Sequence, residues 1–199
     1  FRRGHTSRAL KQLDRVTKGS RGDPGVWQRA ISLMITYAKG ASGARLEKAY
    51  GRLITLEPRE PAHHIGLGEH FWESGDKPAA QRAWRKLRKL GRGPGAGDLL
   101  FAEVLADHRL HKQARAAFEA ALAAAPMSVS CLEAAARWYG SRNASRDREF
   151  AIGLWMRLLE LGRDAKKNPR AAARRHSARK HLLELWSKAG VLNARLQEL

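Results

Sequence analysis

The sequence predicts an all-α protein, a solenoid of antiparallel helix hairpins. Three observations predict it. Apolar slots repeat with a period of 34: Trp27 to Pro61 is one period and Pro61 to Gly95 a second, with matched chemistry at matched positions. Ala, Leu and Arg dominate while β-branched residues are sparse and scattered, which favours helix over strand. Gly-rich breakers, such as Gly91 to Gly97, fall where one period hands over to the next.

The best-defined period, Pro61 to Pro94, contains His64-x2-Leu67-Gly68-x2-Phe71, then Gly75-Asp76, then Ala80-x3-Trp84-x2-Leu87. One period on, the slots hold Asp98-x2-Phe101-Ala102-x2-Leu105 and Ala114-x3-Phe118-x2-Ala121-Leu122, closing at Pro126. A Gly or Ala lets two helices approach closely, large residues fill the space beside it, and Pro stops the second helix. One hairpin cannot bury its own apolar face, so stacked neighbours are required. The pattern resembles the tetratricopeptide repeat (TPR) family over roughly Trp27 to Gly162. The resemblance implies a right-handed superhelix whose first helices line a concave groove and whose second helices form the convex side. It implies a fold and no single function, because such repeats serve as adaptors in many settings.

Taken in order, Thr6 or Ser7 can cap a first helix carrying Leu10, Leu13 and Val16, the second half of a repeat. Gly19 to Gly25 breaks it. Trp27-x2-Ala30-x2-Leu33-Met34-x2-Tyr37, a turn at Gly40 to Gly43, and Leu46-x3-Tyr50-x2-Leu53 make the first full unit. The fourth unit has Leu132, Ala135, Ala136 and Tyr139 in place. Its second helix, Ala151-x3-Trp155-x2-Leu158, arrives three residues late, which predicts an extended turn over Gly140 to Asp147. A basic, Pro-containing linker follows Gly162. A long helix is expected from about Pro169 to Ala189 with Ala178, Leu182, Leu185 and Ala189 on one stripe, and a further short helix from Asn193. The expected organisation is a partial repeat over 1–26, four repeats over 27–162, and a linker with a capping helix over 163–199.

A chain of 199 residues with 43% hydrophobic content can bury a substantial core, so disorder is excluded as a general state. Cys131 is the only cysteine, which rules out an intrachain disulfide and suits a reducing compartment, cytoplasm or organelle matrix. No apolar run approaches the ~20 residues that span a bilayer. Residues 1–8 are Arg-rich and free of acids, a composition shared by organellar transit peptides and basic helix starts. Both readings stay open, as does whether a chain opening at Phe1 is processed or a fragment.

Enzymatic chemistry is not expected. Gly91-Arg92-Gly93-Pro94-Gly95-Ala96-Gly97 has the composition of a phosphate loop but lacks the preceding strand and the closing Gly-Lys-Ser/Thr, so it reads as a flexible joint. The histidine groups His63-His64-x5-His70, His108-x2-His111 and His176-x4-His181 have no second cysteine beside them, and no metal or cofactor is expected. Cys131 has no nameable base and reads as a small buried hydrophobe. Trp27, Trp84 and Trp155 fill large core slots. Trp72 lies one step past Phe71 and is either a ligand-contact aromatic or an inter-repeat packing residue.

The charge is the functional signal. Thirty-eight Lys and Arg against nineteen Asp and Glu give +19, which points to an anionic partner. Seven basic residues lie between Lys77 and Arg92 without an acid, and Arg82, Arg85, Lys86 and Lys89 form an outward stripe at helical spacing. A second block runs through Arg163, Lys166, Lys167, Arg170, Arg174, Arg175, Arg179 and Lys180, and a third lies in the first 21 residues. The groove implied by the resemblance would be lined by Ile31, Ile35, Ile65, Glu69, Trp72, Glu73, Leu99, Glu103, Asp107 and Glu133. That lining is apolar and acidic in a basic protein, and suits a peptide or helix carrying basic and apolar residues. The expectation is a non-enzymatic scaffold inside a larger assembly, holding a protein in its groove and resting its basic surfaces on RNA or another polyanion. Two alternatives stand beside it: a structural RNA-binding protein of a ribosome or other ribonucleoprotein, and a regulatory repeat domain of a multidomain enzyme.

Overall fold

The computed structural model describes residues 2–38, 43–162 and 169–196. Every regular element among them is helical. The chain forms two compact units, 1–90 and 91–199.

In the first unit, α1 (Arg2–Gly19), α2 (Pro24–Tyr37), α3 (Gly43–Leu56), α4 (Pro61–Glu73) and α5 (Lys77–Arg85) pack consecutively, each on the next in sequence. The starts are set by local chemistry. Asp23, Glu60 and Asp76 cap α2, α4 and α5, each accepting a backbone N–H from the first turn, and each is followed by Pro in that turn. Helix α1 begins before Thr6, so the expected cap at Thr6 or Ser7 lies inside the helix. A core of Leu10, Trp27, Ala30, Ile31, Met34, Leu46, Ala49, Tyr50 and Leu53 joins the first three helices. Of the expected α1 stripe, Leu10 is buried, Leu13 packs against this core, and Val16 is exposed. The second hairpin closes on Ala79, Ala80, Ala83, Trp84 and Leu87, and its second helix tightens to a 3₁₀ turn over Lys86–Lys89.

The second unit holds α6 (Ala96–Asp107), α7 (His111–Ala124), α8 (Val129–Gly140), α9 (Ser145–Leu161), α10 (Pro169–Ala189) and the short α11 (Leu192–Arg195). The segment ahead of α6, expected as a joint, is a turn: Gly95 takes φ +73°, where a side chain is strained, and lies against the Ala121 carbonyl. Ala102, Ala114, Ala121, Ala135, Ala136 and Ala151 are fully buried, and the space beside these small residues is filled by Leu105, Phe118, Leu132, Tyr139 and Trp155. Phe118, Trp138, Tyr139 and Phe150 form a run of ring contacts with centroids 4.6–5.1 Å apart.

The extended turn expected over Gly140 to Asp147 is shorter than that: 141–144 connect the helices and 145–147 belong to α9. The extra residues lengthen α9 to 17 residues, against 14 in α7, and leave only residues 141–144 between helices. The reason is Asp147. It is 2% exposed and accepts hydrogen bonds from Arg115 Nη2 at 2.5 Å and Arg142 Nε at 3.0 Å, which fastens the first turn of α9 to α7. Helix α10 has the expected span, with Ala178, Leu182 and Leu185 buried, but Ala189 is exposed and Trp186 takes its place in the core.

Candidate functional site

Beside an apolar cleft of about 740 Å³ between α1 and α2, the first unit carries two clefts of opposite charge. The smaller, about 420 Å³, is floored by α3 and walled by α2 and α4. Ile35, Tyr50, Glu69, His70 and Glu73 line it. Gly66 makes the geometry possible, because a Cβ there would press on the Tyr50 ring and hydroxyl at 2.6–2.8 Å. Burial, then the charges of Glu73 and Glu69, raise the Tyr50 phenol above its ordinary range, so its hydroxyl remains a donor facing an acidic wall. The site therefore offers apolar surface beside carboxylates.

The expected groove residues divide on inspection. Ile35, Glu69 and Glu73 lie together in this cleft. Ile31 is 6% exposed and belongs to the buried core that α2 shares with α1 and α3, so it does not line the cleft. Ile65 is half-buried, and its carbonyl accepts the Trp84 Nε1–H at 3.3 Å. Trp72 packs between helices: its ring centroid is 5.5 Å from that of Trp84, and Lys77 Nζ stands 5.0 Å over it. In the second unit Leu99 is half-buried on α6. Partial burial and then Asp107, one turn away, raise the Glu103 carboxyl above its usual range. Glu133 is tied to Arg137 on the same helix.

Of the basic residues, Arg82, Arg85, Lys86 and Lys89 are all exposed. The C-terminal block is less uniform. Lys166 and Lys167 lie outside the described residues, while Arg170 and Arg179 are exposed. Arg174 Nε donates to the Arg170 carbonyl. Arg175 is half-buried with its aliphatic stem against Gly162, so its charge is turned partly away from solvent. Arg174 is thus held against its own helix and Arg175 against the end of α9, while both keep part of their surface in solvent.

The larger cleft, about 910 Å³, went unread in the sequence. It lies over α2 between α1 and α3, and Lys18, Arg21, Arg45, Lys48 and Arg52 line it against one carboxylate, Asp14. A signal was present: Arg45-x2-Lys48-x3-Arg52 repeats at helical spacing, beside the buried stripe of Leu46, Ala49 and Leu53.

Two of the histidines are occupied structurally. His63, rather than His64, is the buried one, and its Nε2 donates to Glu57 at 2.7 Å. His181 stacks on Trp155 with centroids 4.4 Å apart. Among the described residues no three His, Cys, Asp or Glu side chains come together as metal ligands, and no helix is long and apolar enough to cross a membrane. Cys131 is buried beneath the Ser128 cap of α8. No family model matches the chain, and no curated protein is significantly similar to it.

Proposed function

We propose that the chain is a TPR-like helical scaffold without catalytic activity, part of a larger assembly. The first helices of its hairpins hold a basic, apolar peptide or helix, and its basic second helices contact RNA. One observation carries the reading: in a protein of net charge +19, the cleft between two first helices gathers Glu69, Glu73 and a protonated Tyr50 around Ile35. Carboxylates beside apolar surface attract cationic amphipathic segments and steer their approach.

The test is fluorescence anisotropy with a labelled Lys/Leu amphipathic peptide and the Glu69→Lys, Glu73→Lys double variant. Both side chains are at the rim, so helicity should be unchanged, while association slows and loses its salt dependence. Equal affinity for wild type and variant would remove the groove from the proposal. A second reading, a ribonucleoprotein subunit whose main contact is RNA, is favoured by the greater size of the basic cleft. What co-purifies with the native protein, a protein alone or nucleic acid, separates the two.

A further inference from the structure

The strongest unused feature is the cleft between α1 and α3. Its walls bring together five cations and one carboxylate. That carboxylate is already committed: Arg45 Nε and Nη2 both donate to Asp14, at 3.1–3.2 Å. Arg52 is oriented by donating its Nε to the Arg21 carbonyl at 2.9 Å. Lys18, Lys48 and the guanidinium of Arg21 have no carboxylate partner among the described residues. Cations gathered on facing walls repel one another, and an anion between them would offset that repulsion. A second, independent feature lies in the same wall. The Trp27 Nε1–H is buried and makes no hydrogen bond, although such groups are nearly always satisfied.

We infer that this cleft is a phosphodiester-binding site that takes a stretch of single-stranded RNA by its backbone, with Trp27 Nε1 as a donor that opens to a phosphate oxygen. The inference rests on the RNA contact in the function proposed above, and places that contact somewhere new. RNA is favoured over an acidic peptide because the cations stand in rows on both walls, matching an anion repeated along a chain. The same unit continues the positive charge on α5 and the 3₁₀ turn after it, through Arg82, Arg85, Lys86 and Lys89. Trp27, the only aromatic in the walls, is buried and offers no face for base stacking, so binding should be indifferent to sequence.

The experiment is a salt-series titration of fluorescein-labelled oligouridine into the intact protein, with Lys18→Gln/Arg21→Gln/Lys48→Gln compared against Arg82→Gln/Arg85→Gln/Lys86→Gln/Lys89→Gln. The cleft variant should bind about tenfold more weakly at low salt, and the slope of log affinity on log salt should flatten by roughly 2 for three lost phosphate contacts. On titrating wild type, the Trp27 indole N–H resonance, assigned with Trp27→Phe, should shift. Should the triple variant prove unfolded by circular dichroism, Lys48→Gln alone carries the test, with a slope change of about 0.7 expected. Unchanged binding by the cleft variant, together with weakened binding by the α5 variant, would overturn this site and leave the RNA reading standing. Wild type that ignores oligouridine at low salt removes both. Polyglutamate binding that outcompetes oligouridine and depends on Lys18 and Lys48 would assign the cleft to an acidic protein and overturn the inference.

Discussion

The indole of Trp84 lies directly against the backbone of Gly68, so a Cβ built on Gly68 would overlap the Trp84 ring. The two helices of that hairpin meet at this point, and the Trp84 Nε1–H reaches past it to the Ile65 carbonyl. Trp84 is fully buried as a result. Gly68→Ala should therefore destabilise the protein by about 1–3 kcal/mol through overpacking. Gly51, on α3, has nothing within 4 Å of its missing Cβ, and Gly51→Ala should stabilise by roughly 0.5–1 kcal/mol through helix propensity. Urea unfolding of the pair checks the sign of each. If both substitutions moved stability the same way, the helix contact would be wrongly placed.

Ala114, one period after Ala80, is the small residue of α7 and has no exposed surface. Ala114→Trp should cost at least ~1–3 kcal/mol and lower the melting temperature markedly, because the site is enclosed. An unchanged thermal melt would show that α6 and α7 do not close on this position.

Asp147 should make the stability of the second unit fall in acid. Its burial works to raise its pKa, but the hydrogen bonds and charges of Arg115 and then Arg142 outweigh this and hold it below the usual carboxylate range. In the unfolded chain the same group titrates near ~3.9. Its contribution is therefore complete above that pH and is lost as pH falls through the lower folded value. Asp147→Asn should flatten the fall of melting temperature in this acid range. At neutral pH it should cost about 1–3 kcal/mol, since both guanidiniums keep some water. A variant with the same acid profile as wild type would deny Asp147 this role.

The α5 stripe should act through charge alone. Changing Arg82, Arg85, Lys86 and Lys89 to Gln should weaken RNA of every sequence about equally and flatten the salt slope by roughly 2–3. Filter binding at several salt concentrations measures this. Affinity independent of salt would return the four residues to an ordinary solvated face.

The sequence disclosed the helices better than it disclosed the site, for a physical reason. A helix such as α10 announces itself through apolar spacing that its own residues carry, and its span from Pro169 to Ala189 was legible. Trp186 was missed because the expected stripe ran on from Leu185 to Ala189, and one step in register decides which residue faces inward. The choice of His64 over His63 failed in the same way. Asp147 looked like a turn residue because acids at a Gly- and Ser-containing segment usually stay in water; Arg115, 32 positions away, together with Arg142 makes its burial tolerable. The basic cleft needed two helices far apart in sequence, α1 and α3, to be placed on either side of a third. No window along the chain displays that juxtaposition.

The consecutive packing of the first unit implies uneven resistance to opening along its length. Among the described residues α1 buries one apolar side chain, Leu10, besides Thr17, whose hydroxyl is spent on the Leu13 carbonyl. Helix α5 and the turn after it are anchored by Trp84 and Leu87, both without exposed surface. Amide exchange should consequently run fastest in α1 and slowest around α4 and α5, as α1 swings away while the rest of the unit stays folded. The wall that carries Lys18 and Arg21 is held to α3 chiefly by polar contacts, Arg45 on Asp14 and Arg52 on the Arg21 carbonyl. An anion bridging it to α3 would act as a clasp, and its arrival should be recorded as slowed exchange along α1 before any change is seen elsewhere.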